Sequence, residues 1–123
     1  MTLAWIALGG GIGSVLRYIM YTRIDQMHVY SFPVGILVVN IVGSFLMGLL
    51  AWSLATHIQI AEEHRIAILV GLLGGFTTFS AFSHDTLHLF LRGEYLAVIL
   101  HIVLSVLLCI MAAGAGLYIA KSF

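Results

Sequence analysis

Three groups of polar side chains lie inside stretches otherwise made of apolar residues, and they are the parts of this chain able to do chemistry. The first is Asn40, an amide with two donors and one acceptor, followed by Gly43 and Ser44 on nearly the same helical face. The second is the run Thr77, Thr78, Ser80 and Ser83. The third is His101, Ser105 and Cys109, spaced four apart and therefore aligned along one helix face. Amides and hydroxyls bind small ions or hydrogen-bond neighbouring helices; they do not by themselves catalyse. His101 and Ser105 share a face, but no aspartate there completes a triad, and nothing in the chain makes a positive case for an enzyme. His84, Asp85 and His88 have a spacing compatible with a metal site, although an interfacial helix end is the plainer reading.

Phe76, Phe79 and Phe82 recur every three residues on a shared face, beside those hydroxyls. Packing against lipid or core is the ordinary use of such a stripe. A phenyl ring also has a positive edge, so rings turned edge-on to a pore favour an anion without a full charge to trap it. No lysine or arginine falls in the middle of an apolar run. Arg17 lies near the end of the first, where it either anchors the helix by snorkelling or draws anions into a vestibule.

The elements that must position these groups follow from hydropathy. The chain of 123 residues is 62% hydrophobic and only 8% charged, with mean hydropathy +1.13. Soluble domains carry about 25% charged residues, and one this short could not bury so much apolar surface. Four stretches reach the length of roughly 20 residues that a membrane-spanning helix needs. They run over about 2–22, 33–56, 66–91 and 95–120 within one domain, 1–123, and most charges fall between them. The expected class is an all-α integral membrane protein. Pro33 suits the first turn of the second helix, and the short loops make sequential helices antiparallel neighbours. A net charge of zero excludes the basic field that nucleic-acid binding needs. One cysteine, Cys109, excludes an internal disulfide. The first run begins at Thr2 without a basic leader and outlasts a cleavable signal.

Two local patterns refine this picture. Gly9 and Gly13 are four apart, as are Gly71 and Gly75, a spacing that lets helix backbones approach closely in lipid. The segment from Gly71 to Phe82 places adjacent glycines and two β-branched threonines at mid-membrane, which weakens the third helix and predicts a break. Unwound backbone at that depth persists only where a partner chain or an ion satisfies it. Orientation is nearly undetermined. Arg65 and Lys121 fall on one side and Arg17, Arg23 and Arg92 on the other, so one charge sets the topology or the chain inserts both ways and pairs about an in-plane two-fold axis.

Gly9-Gly-Gly-Ile-Gly-Ser-Val-Leu-Arg17-Tyr18, Gly35-Ile-Leu-Val-Val-Asn40-Ile-Val-Gly43-Ser44-Phe45 and Gly74-Gly-Phe-Thr77-Thr78-Phe79-Ser80-Ala-Phe82 resemble, in order, the three signatures of the Fluc (CrcB) fluoride channels. The resemblance implies an antiparallel, dual-topology homodimer with two pores in the bacterial inner membrane, passing fluoride down its electrochemical gradient. It implies that Phe79 and Phe82 are pore phenylalanines, with Asn40 the amide donor beside them and Arg17 at an aqueous vestibule. It also implies that Gly74 and Thr77 offer backbone carbonyls to a structural sodium ion shared by two subunits. Thr78, Ser80, Ser105 and His101 complete the expected fluoride path, with Cys109 continuing the stripe. Ile36 and Ala81 depart from the family pattern, which often has hydroxyl residues at both positions. A proton-coupled efflux carrier and a non-transporting assembly subunit are the competing classes. The carrier needs a deep titratable group, and helices one, two and four contain no central carboxylate.

Overall fold

The computed structural model describes residues 1–27 and 31–123. Every regular element among them is helical: α1 (Thr2–Met27), α2 (Val34–Thr56), α3 (Glu62–Ile66), a π-helical stretch (Ala67–Leu73), α4 (Gly74–Phe76), α5 (Phe79–Leu91) and α6 (Tyr95–Lys121). Four helical spans are long and apolar enough to cross a membrane: Thr2–Met27, Val34–Thr56, Glu62–Leu91 and Tyr95–Lys121. The first continues to Met27, beyond the apolar run ending near Thr22, because a helix can extend its polar end into the interface.

Two helix pairs carry most of the packing. The span formed by α2 lies along α6, and α1 lies along the π-helical stretch and α4. The second pairing is set by the two small-residue motifs, which face each other. A Cβ placed on Gly9 would come 2.5 Å from the Ala67 carbonyl, and one on Gly13 would overlap the carbonyl of Leu72. From the other side, a Cβ on Gly71 would sit 2.9 Å from the Ile6 carbonyl. Only glycine allows backbones this close, and close backbones multiply the dispersion contacts that hold helices together where lipid competes for every apolar side chain.

Side chains lacking a helix neighbour point outward. Leu3, Leu96, Ile110 and Met111 are all exposed, whereas Val39, Leu73 and Leu89 are sealed in the core. Bilayer or another protein surface is the environment such an exterior requires. At one membrane end the chain reverses between α5 and α6 through Gly93, whose φ of +75° is open to glycine at little cost. Its amide bonds the Phe90 carbonyl at 2.9 Å and the next amide bonds that of Leu89 at 3.1 Å, closing the end of α5. At the start of α2, the Asp25 carboxylate accepts the Gly35 amide at 2.9 Å.

Candidate functional site

The third span breaks at Thr77 and Thr78. Thr77 has ψ 156° and Thr78 has φ −153° and ψ 122°, so both are extended. Gly74 and Gly75, the residues of lowest helix propensity in the segment, stay helical. Glycine weakens a helix only when nothing holds it, and Gly75 is held by contact with the Gly10 backbone. The threonines give way because side chains elsewhere take their backbone groups.

Asn40 is the principal clamp. Its Oδ1 accepts the Thr78 amide at 2.8 Å and its Nδ2 donates to the Thr78 carbonyl at 3.0 Å. One side-chain amide thereby replaces both bonds that Thr78 loses by leaving the helix. Arg17 Nη1 donates to the Thr77 carbonyl at 3.2 Å. The Thr78 hydroxyl then accepts the Ala81 amide at 3.1 Å and caps the N-terminus of α5. These contacts divert two donors. In an unbroken helix the Thr78 amide would serve the Gly74 carbonyl and the Ala81 amide that of Thr77. Both carbonyls are released from the ladder, that of Thr77 then accepting Arg17.

Two concavities flank the break. A groove of about 600 Å³ is bounded by Asn40, Ser44, Gly74, Thr77, Thr78, Phe79, Phe82, Ser105 and Cys109, among others, and among the described residues no lysine or arginine lines it. A second concavity of about 670 Å³ brings Arg17 together with Thr78, Ser80, Asp25 and Asp85, and Ile36 and Ala81 form part of its wall. Thr78 belongs to both. Its hydroxyl lies 3.1 Å from that of Ser80. Whichever of the two donates, one hydroxyl proton of the pair is left uncommitted. Asn40 likewise has a second Nδ2 proton beyond the one given to Thr78.

The two expected pore phenylalanines differ in setting. Phe82 is 9% exposed and Phe79 is 77% exposed, although their ring centroids are 5.2 Å apart. The polar stripe on α6 also divides. Ser105 and Cys109 line the groove, but His101 does not. Its ring is fully buried, 5.0 Å from Phe82 and edge-on to Phe32 at 5.5 Å, with Nδ1 3.0 Å from the Thr86 hydroxyl. Helical spacing places His101 on the stripe correctly, but the approach of α5 puts Phe82 against it. Thr86 and Asp25 were not singled out by the sequence. Thr86 falls one turn after Phe82 on the hydroxyl-bearing side, the one local sign of its role.

His84 and His88 stack with centroids 6.3 Å apart, and His84 Nδ1 lies 3.4 Å from Asp85. Among the described residues no three His, Cys, Asp or Glu side chains converge as a metal site.

Comparison with known proteins agrees in kind with this architecture. Residues 4–117 match the family described as CrcB-like protein, Camphor Resistance (CrcB). A protein of Magnetococcus marinus named fluoride-specific ion channel FluC is 43% identical over 121 residues, covering 98% of each chain. Proteins of the same name from Parabacteroides distasonis and a Shewanella species are 41% and 45% identical, covering 95% and 90% of this chain and 91% and 89% of their own.

Proposed function

The chain belongs to the CrcB-like family, and from that premise we propose that it is a fluoride channel through which the cell loses fluoride passively. It is a multi-pass membrane protein and not an enzyme; in bacteria such a protein resides in the inner membrane. The observation that carries the proposal is the groove beside the helix break, where an amide, hydroxyls and phenyl rings are set among apolar side chains such as Met47, Val106 and Ile110, with no cationic side chain among the described residues that line it. Fluoride is small and holds its water tightly. A path for it must supply several hydrogen bonds in place of that water and still let go. A lysine or arginine in the groove would bind the anion and hold it.

Each residue has a part in that exchange. Arg17, at the wall of the 670 Å³ concavity, makes the approach attractive to anions. The spare hydroxyl proton of Thr78 and Ser80 and the spare amide proton of Asn40 donate on the two sides of the break. The ring edges of Phe79 and Phe82 contribute weaker, dispersed positive potential, and Ser105 continues the donors beyond them.

The functional unit is an antiparallel homodimer with two such paths. The exposure of Phe79 supports this, since a ring set at the mouth of a polar groove calls for a second protein surface to close it. The near-balanced distribution of basic residues supports insertion in both directions. A structural sodium ion fits the same break. The carbonyls of Gly74 and Thr77 are the two whose helical donors are diverted, and the flank of Gly74 is open, with nothing nearer than 3.9 Å to an added Cβ. Carbonyl oxygens of unwound helices suit sodium, and two copies together would offer four. When bound, the ion would tie the subunits together and add positive potential between the paths.

Export needs no energy source. Neutral hydrogen fluoride crosses lipid, ionises in a near-neutral cytoplasm and leaves the anion behind. A potential of about 100 mV, negative inside, is worth roughly 2.3 kcal/mol per charge. It therefore expels the anion about forty-fold at equilibrium, each 1.4 kcal/mol being about tenfold.

Purified protein in liposomes loaded with fluoride or chloride tests the proposal with ion-selective electrodes. Rapid electrodiffusive release of fluoride with chloride retained is the expected result. Retention of both ions, or a demand for a proton gradient, would overturn it.

A further inference from the structure

One cluster of ligating side chains lies outside the fluoride path. His84 and His88 stand one turn apart on α5, and that spacing puts both imidazoles on the same helix face. Both are exposed, the His84 side chain by 79%. Their rings are stacked nearly parallel, 9° apart in plane, with centroids 6.3 Å from each other. The χ2 torsion of histidine is broad, and exposure leaves both rings free to turn. Modest rotations bring one nitrogen of each to a shared point about 2.0–2.1 Å away, the length of a zinc–imidazole bond. The Asp85 carboxylate, whose Oδ1 lies 3.4 Å from His84 Nδ1, puts a negative charge beside the pair.

Position along α5 decides what reaches the pair. At 1.5 Å per residue, His84 and His88 lie about 9 and about 15 Å along the helix from Thr78. The hydrocarbon core is about 30 Å thick. With the break at mid-membrane, His88 is level with the interface and His84 is one turn inside it. His84 and Asp85 both line the 670 Å³ concavity that holds Arg17, Thr78 and Ser80. The pair therefore stands at the aqueous mouth of that concavity, and Ser80 lies one turn deeper on the face of His84.

Resting on the fluoride-channel reading, we propose that His84 and His88 chelate a transition-metal dication, and that the bound ion closes the mouth. Imidazole nitrogens suit zinc, copper and nickel, whereas magnesium and calcium take oxygen ligands. Each neutral ring lends one lone pair, so no bond breaks and no proton has to leave. Two protein ligands leave the other positions of the ion to water or an anion. The site is therefore exchangeable and separate from the fold's own stability. A conducting path must release its anion as readily as it binds it. A dication with open positions, set between solvent and Ser80, holds fluoride at the mouth and obstructs the way in.

The test begins with zinc binding, measured by calorimetry on the full chain in mixed micelles near neutral pH, without a histidine tag. The unaltered protein should bind zinc, and His84→Ala and His88→Ala should each weaken that binding by at least about tenfold, since a lost ligand costs no less than a lost outer-shell partner. His64→Ala, whose ring packs on Trp5, should bind as the unaltered protein does. In phosphatidylcholine liposomes, zinc on both sides should slow fluoride efflux, a chelator should restore it, and magnesium at the same concentration should leave it unchanged. His84→Ala and His88→Ala, each compared with its own metal-free rate, should keep their efflux in zinc. No zinc binding by the unaltered protein, binding undiminished in both variants, efflux indifferent to saturating zinc, or efflux of the variants slowed as much as that of the unaltered protein would each overturn the proposal. Absence of fluoride efflux in every sample would instead defeat the channel reading, and calorimetry would still decide the metal site.

Discussion

Asn40→Ala removes the clamp on the helix break without touching either phenylalanine. Two bonds disappear, those of 2.8 and 3.0 Å to the amide and carbonyl of Thr78. Interhelical hydrogen bonds in membrane proteins average about 0.6 kcal/mol, which would make the loss about 1.2 kcal/mol. The larger effect is the backbone left behind. A buried donor or acceptor without a partner costs about 1–3 kcal/mol, and Thr78 has one of each. Because Thr78 borders both concavities, water can reach one of the two. The expected cost is therefore about 2–3 kcal/mol, which the segment relieves by closing Thr77 and Thr78 back toward a helix. A penalty of 2 kcal/mol reduces the broken conformation about thirty-fold. Fluoride efflux should fall by at least that factor, since the spare Nδ2 donor is lost as well. Asn40→Asp keeps the acceptor for the Thr78 amide but loses the donor, sets an oxygen against the Thr78 carbonyl and adds a negative charge in the groove, so it should conduct no better than Asn40→Ala. Efflux is read by fluoride electrode and stability by reversible denaturation in mixed micelles. Efflux and stability of Asn40→Ala both matching the parent, within about twofold and 0.5 kcal/mol, would refute the clamp.

Further outcomes follow from other contacts. Phe82→Ile should lower fluoride efflux by more than about tenfold and release the His101 ring from its 5.0 Å contact, while Phe79→Ile should impair efflux with a smaller change in monomer stability because its ring is largely exposed. Gly13→Val should destabilise the chain by more than about 2 kcal/mol, because its Cβ overlaps the Leu72 carbonyl, whereas Gly11→Ala meets nothing within 4 Å and should leave thermal stability in detergent unchanged. A small membrane-permeant thiol reagent should block efflux by adding bulk at Cys109 in the groove, and Cys109→Ala should resist it. If the proposed sodium ion binds at the break, replacing sodium with a large organic cation on both sides of the membrane should slow efflux and favour monomers in cross-linking, since the carbonyls of Gly74 and Thr77 would lose that cation as a shared partner.

Composition and pattern by themselves determine much of this protein. A chain 62% hydrophobic with charges gathered between long apolar runs has to place those runs in lipid, and the four spans follow. The paired glycines specify close helix contact because spacing by four is a property of the helix alone, and the structure sets the Gly9–Gly13 pair against the Gly71–Gly75 pair. Which residues are polar at depth is equally local, so Asn40, Thr77, Thr78 and Ser105 stand out before any fold is known.

Only tertiary structure decided what those residues do. Local propensity marks the whole segment of glycines and threonines as weak without saying which of them yields. The chain yields at the threonines, because Asn40 on α2 and Arg17 on α1 satisfy the backbone there, and Gly75 is pinned by α1. Helical periodicity gives His101 a face but no neighbour, and it is the packing of α5 on α6 that turns it away from the groove, toward Phe82 and Thr86. Propensity and periodicity are sums over residues near in sequence, whereas a hydrogen bond spanning 38 or 60 residues depends on where whole helices come to rest.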